Sequence, residues 1–395
     1  MSTNVSKSHR DVIARHLIEV PRSGIRDFFE IVSTMKDVIS LGIGEPDFDT
    51  PWHIRESSIF ALERGVTSYT SNLGLLSLRA AIAEYVARTF NLSYRAEDEI
   101  LITVGVSEAL DLAIRALVNP GDAVMYHEPC YVSYGPLIQF ANGVPVAVPT
   151  SREDGFRLTR AALEAHVTPA CKALILNYPN NPTGAALLPG DARDIADFVQ
   201  EHDLILITDE IYAELTYEGQ HVSPATYPGM KERTIFLHGF SKAWAMTGFR
   251  LGYACAPAAL TDAMMKIHQY TMLCAPILSQ HAAQEALANP EEDIADMRAE
   301  YQRRRNYLQH SFQEMGLACA LPRGAFYAFP CIQNTGLKAK DFAMQLLTEE
   351  NVAVVPGTAF GPSGEGHVRC SYATSMDEIK EAMVRMVAFV ARIRV

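Results

Sequence analysis

Between residues 99 and 240 the chain alternates short β-rich runs with helix-patterned stretches, and no other feature restricts the fold as much. EILITVG (99–105) is apolar enough for a buried strand, and SEALDLAIRALV (107–118) follows it with Leu110, Ala113, Ile114 and Leu117 at helical spacing. DAVMY (122–126), KALILNYP (172–179), LILITDE (204–210) and TIFLHGF (234–240) repeat the strand pattern. DARDIADFVQEH (191–202) puts Ala192, Ile195, Ala196 and Val199 on one helix face. Near-continuous apolar strands separated by helices predict an α/β fold, with a mostly parallel sheet covered on both sides. Such sheets bind ligands beyond the carboxyl ends of their strands. The residues that follow each strand are therefore the candidate site residues.

The C-terminal third is organised differently. AEYQRRRNYLQHSFQEMG (299–316) is an amphipathic helix with Tyr301, Leu308, Phe312 and Met315 on one side. GAFYAFP (324–330), VAVVPG (352–357) and HVRCSYA (367–373) read as strands, and a last helix begins with Ser375 and Glu378 in capping-box spacing. Helices and strands segregated in this way predict a smaller α+β domain. A chain of 395 residues has the length for two domains. The expected division is a large domain over 50–285, and a small domain built from 1–49 and 286–395. Segment 10–50 is expected as a helix and then a turn-rich loop.

Composition excludes several classes. The net charge of −12 argues against a nucleic-acid role, which needs a basic surface. No run approaches the roughly 20 apolar residues of a membrane span. The first residues, MSTNVSKSHRDVIARHLIEV, lack an apolar signal-peptide core. Seven scattered cysteines with no CxxC pair fit reduced thiols and a cytoplasmic location. The histidines show no metal-binding spacing.

The strand ends carry a set of groups that fit one ligand. Val106 and Ser107 open a helix after the first strand, where free N–H groups attract an anion. Tyr131 follows the second strand, Asn181 lies in NNPTG after the third, and Asp209 with Tyr212 ends the fourth. Ser241, Lys242 and Arg250 lie in GFSKAWAMTGFRLGY after the fifth. A phosphate calls for a helix N-terminus, hydroxyls and an arginine: Ser107, Ser241 and Arg250. A protonated ring nitrogen calls for a buried carboxylate, Asp209. A phenolate oxygen calls for the donors Tyr212 and Asn181, an aldehyde for Lys242, and a flat ring for Tyr131. The ligand with all these groups is pyridoxal 5′-phosphate (PLP).

The motifs LGIGEPDFDTP (41–51), YTSNLGLLSLRAAIA (69–83), NNPTG (180–184), TDEIYAEL (208–215), GFSKAWAMTGFRLGY (239–253), GAFYAFP (324–330) and VVPGTAFG…GEGHVRCSYA (354–373) span nearly the whole chain. On these motifs the chain resembles the class I/II aminotransferases, the fold-type-I PLP-dependent transferases. Within them it is most similar to the bacterial and archaeal subgroup of aspartate, aromatic and N-acetyl-diaminopimelate aminotransferases. The resemblance implies that Lys242 bonds covalently to the cofactor and that Asp209 lies under the ring nitrogen. Asn181 and Tyr212 would bind the ring oxygen, and Tyr131 would stack on the ring. Val106, Ser107, Ser241 and Arg250 would hold the phosphate. Arg369 would clamp the substrate α-carboxylate beside Gly44. Tyr69 would reach the phosphate of a second subunit, which implies a homodimer. The peptides Glu128–Pro129 and Asn181–Pro182 are expected to be cis by the same resemblance.

The chain departs from the family pattern in three places. His238 stands where the subgroup often has Asn, and Gly239 where some relatives have a phosphate-binding Ser. Ser107 stands where some aspartate-specific relatives have Lys. The expected reaction moves the amino group of aspartate or an aromatic amino acid to a 2-oxo acid, with 2-oxoglutarate as acceptor, by a ping-pong route. The alternatives are the N-acetyl-LL-2,6-diaminopimelate aminotransferase of lysine biosynthesis and a PLP-dependent C–S lyase, since one fold serves several reactions.

Overall fold

The structure is a computed structural model that describes residues 13–20, 35 and 37–393. Much of the expected helix and loop over 10–50 lies outside the described residues. Within them, a short helix covers Arg15–Glu19 and β1 covers Ile39–Ser40. The strands that follow are β2 (Ile100–Thr103), β3 (Ala123–Glu128), β4 (Val144–Pro149), β5 (Cys171–Asn177), β6 (Ile205–Asp209), β7 (Thr234–Gly239) and β8 (Gly252–Cys255). Among the described residues these seven form one sheet in the order β2-β8-β7-β6-β5-β3-β4. β3 to β7 are mutually parallel, and β8 runs antiparallel to both of its neighbours, β2 and β7.

The sequence pattern accounts for most of this sheet. Every residue of β2 and β7 is buried, β5 is buried at all but its first two residues, and β6 at all but its first. Strands with both faces covered need no polar alternation. Two strands escaped the pattern. β4 contains Pro145 and Pro149 and is an edge strand, where a missing N–H is tolerated. β8 begins inside the glycine- and arginine-bearing motif that follows Lys242.

The helices Val106–Leu117 and Pro189–Glu201 cover the sheet with the apolar faces expected of them. The C-terminal region has a separate core that includes Tyr301, Leu308, Phe312, Phe342, Leu346 and Phe389. Its principal helix runs over Pro290–Glu314, nine residues further toward the N-terminus than its apolar spacing reveals. Pro290 at the first helical position and Glu291, Glu292 and Asp293 in the first turn favour that start. The strands here are shorter than the sequence implies. GAFYAFP retains only β9 (Tyr327–Ala328), and VAVVPG splits into β10 (Val352–Ala353) and β11 (Val355–Pro356). β12 (Val368–Ser371) lies between β11 and β9, while β10 pairs in parallel with β1. Ser375 accepts the Glu378 N–H at 3.2 Å, capping the last helix, Met376–Ile393. The Glu128–Pro129 and Asn181–Pro182 peptides are cis, as is Tyr178–Pro179.

One close approach organises the carboxyl edge of the sheet. Gly252, the first residue of β8, pairs with Gly239 on β7 and with Thr103 on β2. A Cβ on Gly252 would lie 2.6 Å from the Val106 nitrogen and 2.7 Å from the Gly105 carbonyl carbon. These are backbone atoms and cannot swing away. Gly252→Ala is therefore expected to destabilise the protein by roughly 1–3 kcal/mol, the usual cost of overpacking. Gly190→Ala, at a position with open space, should stay within about 0.5 kcal/mol of the parent. Equal denaturation midpoints for the two variants would contradict this packing.

Candidate active site

The carboxyl ends of β3, β5, β6 and β7 lie along one edge of the sheet, and the helix that follows β2 starts there. Because β8 is antiparallel, its first residue lies at that edge too. Arg250, two residues earlier, is thereby delivered to the same place. It takes a left-handed conformation (φ 51°, ψ 55°), and its Nη1 donates to the Thr247 carbonyl at 3.0 Å. Its Nη2 lies 2.8 Å from where a Cβ on Gly105 would stand. The guanidinium therefore rests directly on the start of the helix Val106–Leu117.

These ends surround a cavity of about 410 Å³. Its walls include Gly44, Val106, Ser107, Tyr131, Asn181, Asp209, Tyr212, Ser241, Lys242, Arg250 and Arg369, which is every candidate residue except Tyr69. Tyr69 is 83% exposed and outside the cavity. Seven other wall residues were not candidates from the sequence, among them the polar Glu45, Asn177, Thr247 and Tyr327. Tyr327 is explained by contact. Its hydroxyl lies 3.0 Å from that of Tyr212, and 2.7 Å from where a Cβ on Gly44 would stand. Glu45 accepts a hydrogen bond from Thr247, joining the loop after β1 to the motif that carries Lys242.

The electrostatics of the cavity set its chemistry. Lys242 donates to the Gly44 carbonyl at 2.7 Å. Burial lowers its pKa to about 8; Arg369 and Arg250 lower it as well, against Glu45 and Asp209. Burial raises Asp209 to about 6, and its hydrogen bonds only partly restrain that rise. Its carboxylate has no ion-pair partner among the described residues. Tyr134, also missed from the sequence, donates to Asp209 Oδ2 at 2.9 Å. The Ile211 N–H donates to Oδ1 at 3.3 Å.

Across the cavity, Arg369 is 3% exposed. Its Nη1 donates to Asn181 Oδ1 at 2.8 Å and its Nη2 to the Gly42 carbonyl at 2.6 Å. Its Nε is buried and has no partner. Rings of Tyr327 and Phe360 lie 4.5 and 4.8 Å from the guanidinium carbon. Because Arg369 occupies Asn181 Oδ1, the amide nitrogen of Asn181 is left as the free donor.

The two unusual residues, His238 and Gly239, also have structural accounts. Asp209 is in register with Leu237, so His238 projects from the opposite face of the sheet. There it is fully buried, with Nε2 3.0 Å from Glu214. Tyr85 donates to the same carboxylate at 2.5 Å. Burial pushes the Glu214 carboxyl up, but His238 and Tyr85 more than reverse this and hold it below its ordinary value. His238 is thus a buried hydrogen-bonding partner of Glu214 behind the site. A Cβ on Gly239 would lie 2.9 Å from Gly252 Cα and 3.0 Å from Val106 Cγ2, so a larger residue would press on the β7–β8 contact.

The family described as aminotransferase class I and II matches residues 36–386. The chain belongs to that family, and it is a PLP-dependent aminotransferase of fold type I. It is 53% identical over 377 residues to the Bacillus subtilis protein YugH, whose name gives the aminotransferase class and no substrate; the match covers 95% of this chain and 98% of that one. It is 47% identical over 367 residues to an aspartate aminotransferase of Pyrococcus abyssi, covering 92% and 94%. The crystal structure of an aromatic aminotransferase from Pyrococcus horikoshii superposes with a TM-score of 0.89 at 46% identity, covering 93% and 99%. No described helix is long and apolar enough to cross a membrane.

The Glu214–His238 pair carries a stability expectation. Removing one partner of a buried pair strands the other, which typically costs about 3–5 kcal/mol. Glu214→Ala should show a loss of that order in chemical denaturation. A loss under about 1 kcal/mol would mean the pair contributes little net stability.

Proposed function

We propose that this chain transfers the amino group of L-aspartate or an aromatic L-amino acid to a 2-oxo acid, with 2-oxoglutarate as acceptor, in two half-reactions. The observation that carries the proposal is the meeting of Lys242, Asp209 and Arg369 in one cavity. The amine is pushed toward neutrality, the carboxylate lacks a countercharge, and the arginine is aimed from the C-terminal region.

The site fits PLP on its own chemistry. Asp209 calls for a buried cation, Asn181 has a free amide donor, and the Val106–Ser107 turn offers backbone N–H groups beside Arg250. Bound there, the cofactor supplies an aldehyde that takes up the amino group and a ring that withdraws electrons. Asp209 would keep the ring nitrogen protonated by placing a negative charge beside it. Tyr212 and Asn181 would donate to the ring oxygen, and Tyr131 would pack against the ring. Val106, Ser107, Ser241 and Arg250 would hold the phosphate. Lys242 anchors the cofactor and then, as a neutral amine, carries the proton away from the substrate Cα. Arg369 takes the substrate α-carboxylate in a two-point contact that a lysine would not reproduce. Gly44 leaves room beside it.

Two larger-scale features accompany this reading. In this reading residues 50–285 are the large, cofactor-holding domain, and the small domain is that expected from 1–49 with 286–395, of which 13–20, 35, 37–49 and 286–393 are described; its movement toward the site would exclude water. The active unit is a homodimer in which Tyr69 reaches the neighbour's phosphate. The exposure of Tyr69 leaves its side chain free to reach a second copy.

Half-reactions test the function. Holoenzyme mixed with single amino acids in a stopped-flow spectrophotometer should lose the absorbance of its lysine-bound cofactor and gain that of the amine form with aspartate, glutamate or aromatic donors. Conversion by a diaminopimelate derivative alone would reassign the substrate. Pyruvate and ammonia release without an acceptor would make the enzyme a lyase. Arg369→Lys should raise KM for amino acid and 2-oxo acid together, by roughly 10- to 100-fold, equal to about 1.4–2.8 kcal/mol of binding. A rise for only one of the pair would contradict a shared carboxylate clamp. Cofactor capture by the cofactor-free chain should speed up as pH rises through about 8, because Lys242 must lose its proton to attack an aldehyde. A capture rate flat from pH 6 to 9 would remove Lys242 from that role.

A further inference from the structure

A tyrosine in an apolar core needs a reason for its hydroxyl. Tyr134 is fully buried and packs in the cluster that includes Leu110, Ile114, Ile138 and Ile235. Phenylalanine would fill that space equally well. The hydroxyl has one partner, Asp209 Oδ2 at 2.9 Å. A buried phenol without a partner costs free energy, so the contact fixes both side chains.

The placement of Tyr134 adds a second argument. It opens the helix Tyr134–Phe140, and its N–H donates to the Tyr131 carbonyl at 3.3 Å. The two rings meet edge to face, with centroids 5.8 Å apart and planes at 77°. A single turn of chain thus presents Tyr131 to the cavity and Tyr134 to the carboxylate behind it. Each Asp209 oxygen receives one donor, Tyr134 on Oδ2 and the Ile211 N–H on Oδ1. That leaves further acceptor capacity on both oxygens for a cation in the cavity.

We propose that Tyr134 is a positioning residue: through its hydrogen bond to Asp209 it holds that carboxylate ionised and aimed at the cofactor ring nitrogen. The inference rests on the proposed role of Asp209. The titratable groups acting on Asp209 are Tyr134, Tyr212, Glu210, His238 and Lys242. Glu210 and His238 act in opposite senses. Tyr134 is the one side chain among the described residues that donates a hydrogen bond to the Asp209 carboxylate. Without it, burial would act with less restraint, and Asp209 would take up its proton at a higher pH.

A double-mutant cycle on the holoenzyme tests this. Cofactor release on dilution is measured at pH 6, 7 and 8 for the parent, Tyr134→Phe, Asp209→Asn and the double variant, together with each melting temperature. Tyr134→Phe should weaken cofactor retention about five- to tenfold at pH 6, with the gap narrowing by pH 8 as the carboxylate ionises in both proteins. In the Asp209→Asn background, the same change should have almost no further effect. A loss that is the same at every pH, or one that persists in the Asp209→Asn background, would make Tyr134 a packing residue and overturn the proposal. So would parental retention in Tyr134→Phe while Asp209→Asn is weakened. Unaltered retention in Asp209→Asn would sink the role of Asp209 itself, and this inference with it.

Discussion

Gly252 is the point at which the sheet and the site become one structure. With no side chain, it lets β8 lie against Gly239 on one side and the Gly105–Val106 turn on the other. That contact brings three separate stretches of sequence together: the helix N-terminus after β2, the Ser241–Lys242 turn after β7, and Arg250 before β8. An antiparallel strand inside an otherwise parallel sheet is what allows Arg250 to approach the carboxyl edge from the far side. The anion-binding corner therefore depends on backbone approach, with Ser107, Ser241 and Arg250 completing it.

The cavity couples opposite electrostatic demands. A low-dielectric setting disfavours charge on any group, so it moves Lys242 down and Asp209 up. For the lysine this serves the chemistry, since a neutral amine is a nucleophile and a base. For the aspartate it opposes the chemistry, since a protonated carboxyl has no charge to set against a ring cation. The fold answers with hydrogen bonds from Tyr134 and the Ile211 N–H, and a cationic cofactor ring would supply the rest. The contact of Glu214 with His238 lies on the other face of the same sheet, behind Asp209.

Much of this was visible in the residues before any coordinates. Apolar runs marked the buried strands, and position after a strand marked the candidate site residues, because parallel strands share a carboxyl edge. What escaped has physical causes. β4 was hidden by Pro145 and Pro149, which an edge strand tolerates. β8 was hidden because its glycine serves close packing and not strand propensity. The start of the helix Pro290–Glu314 carried proline and acidic signals, but its apolar stripe is weak there. Tyr134 was invisible as a site residue, since its role depends on which way one helical turn faces. Tyr327 entered the cavity through a tertiary contact with Tyr212 that no local pattern encodes.

The central claim is that one lysine, Lys242, holds the cofactor at the carboxyl edge of the sheet. The direct measurement is borohydride reduction of the holoenzyme followed by peptide mapping in a mass spectrometer. The account predicts a pyridoxyl mass on the peptide that contains Lys242, and on no other. A stoichiometric adduct on a different lysine, or cofactor released without any adduct, would contradict it.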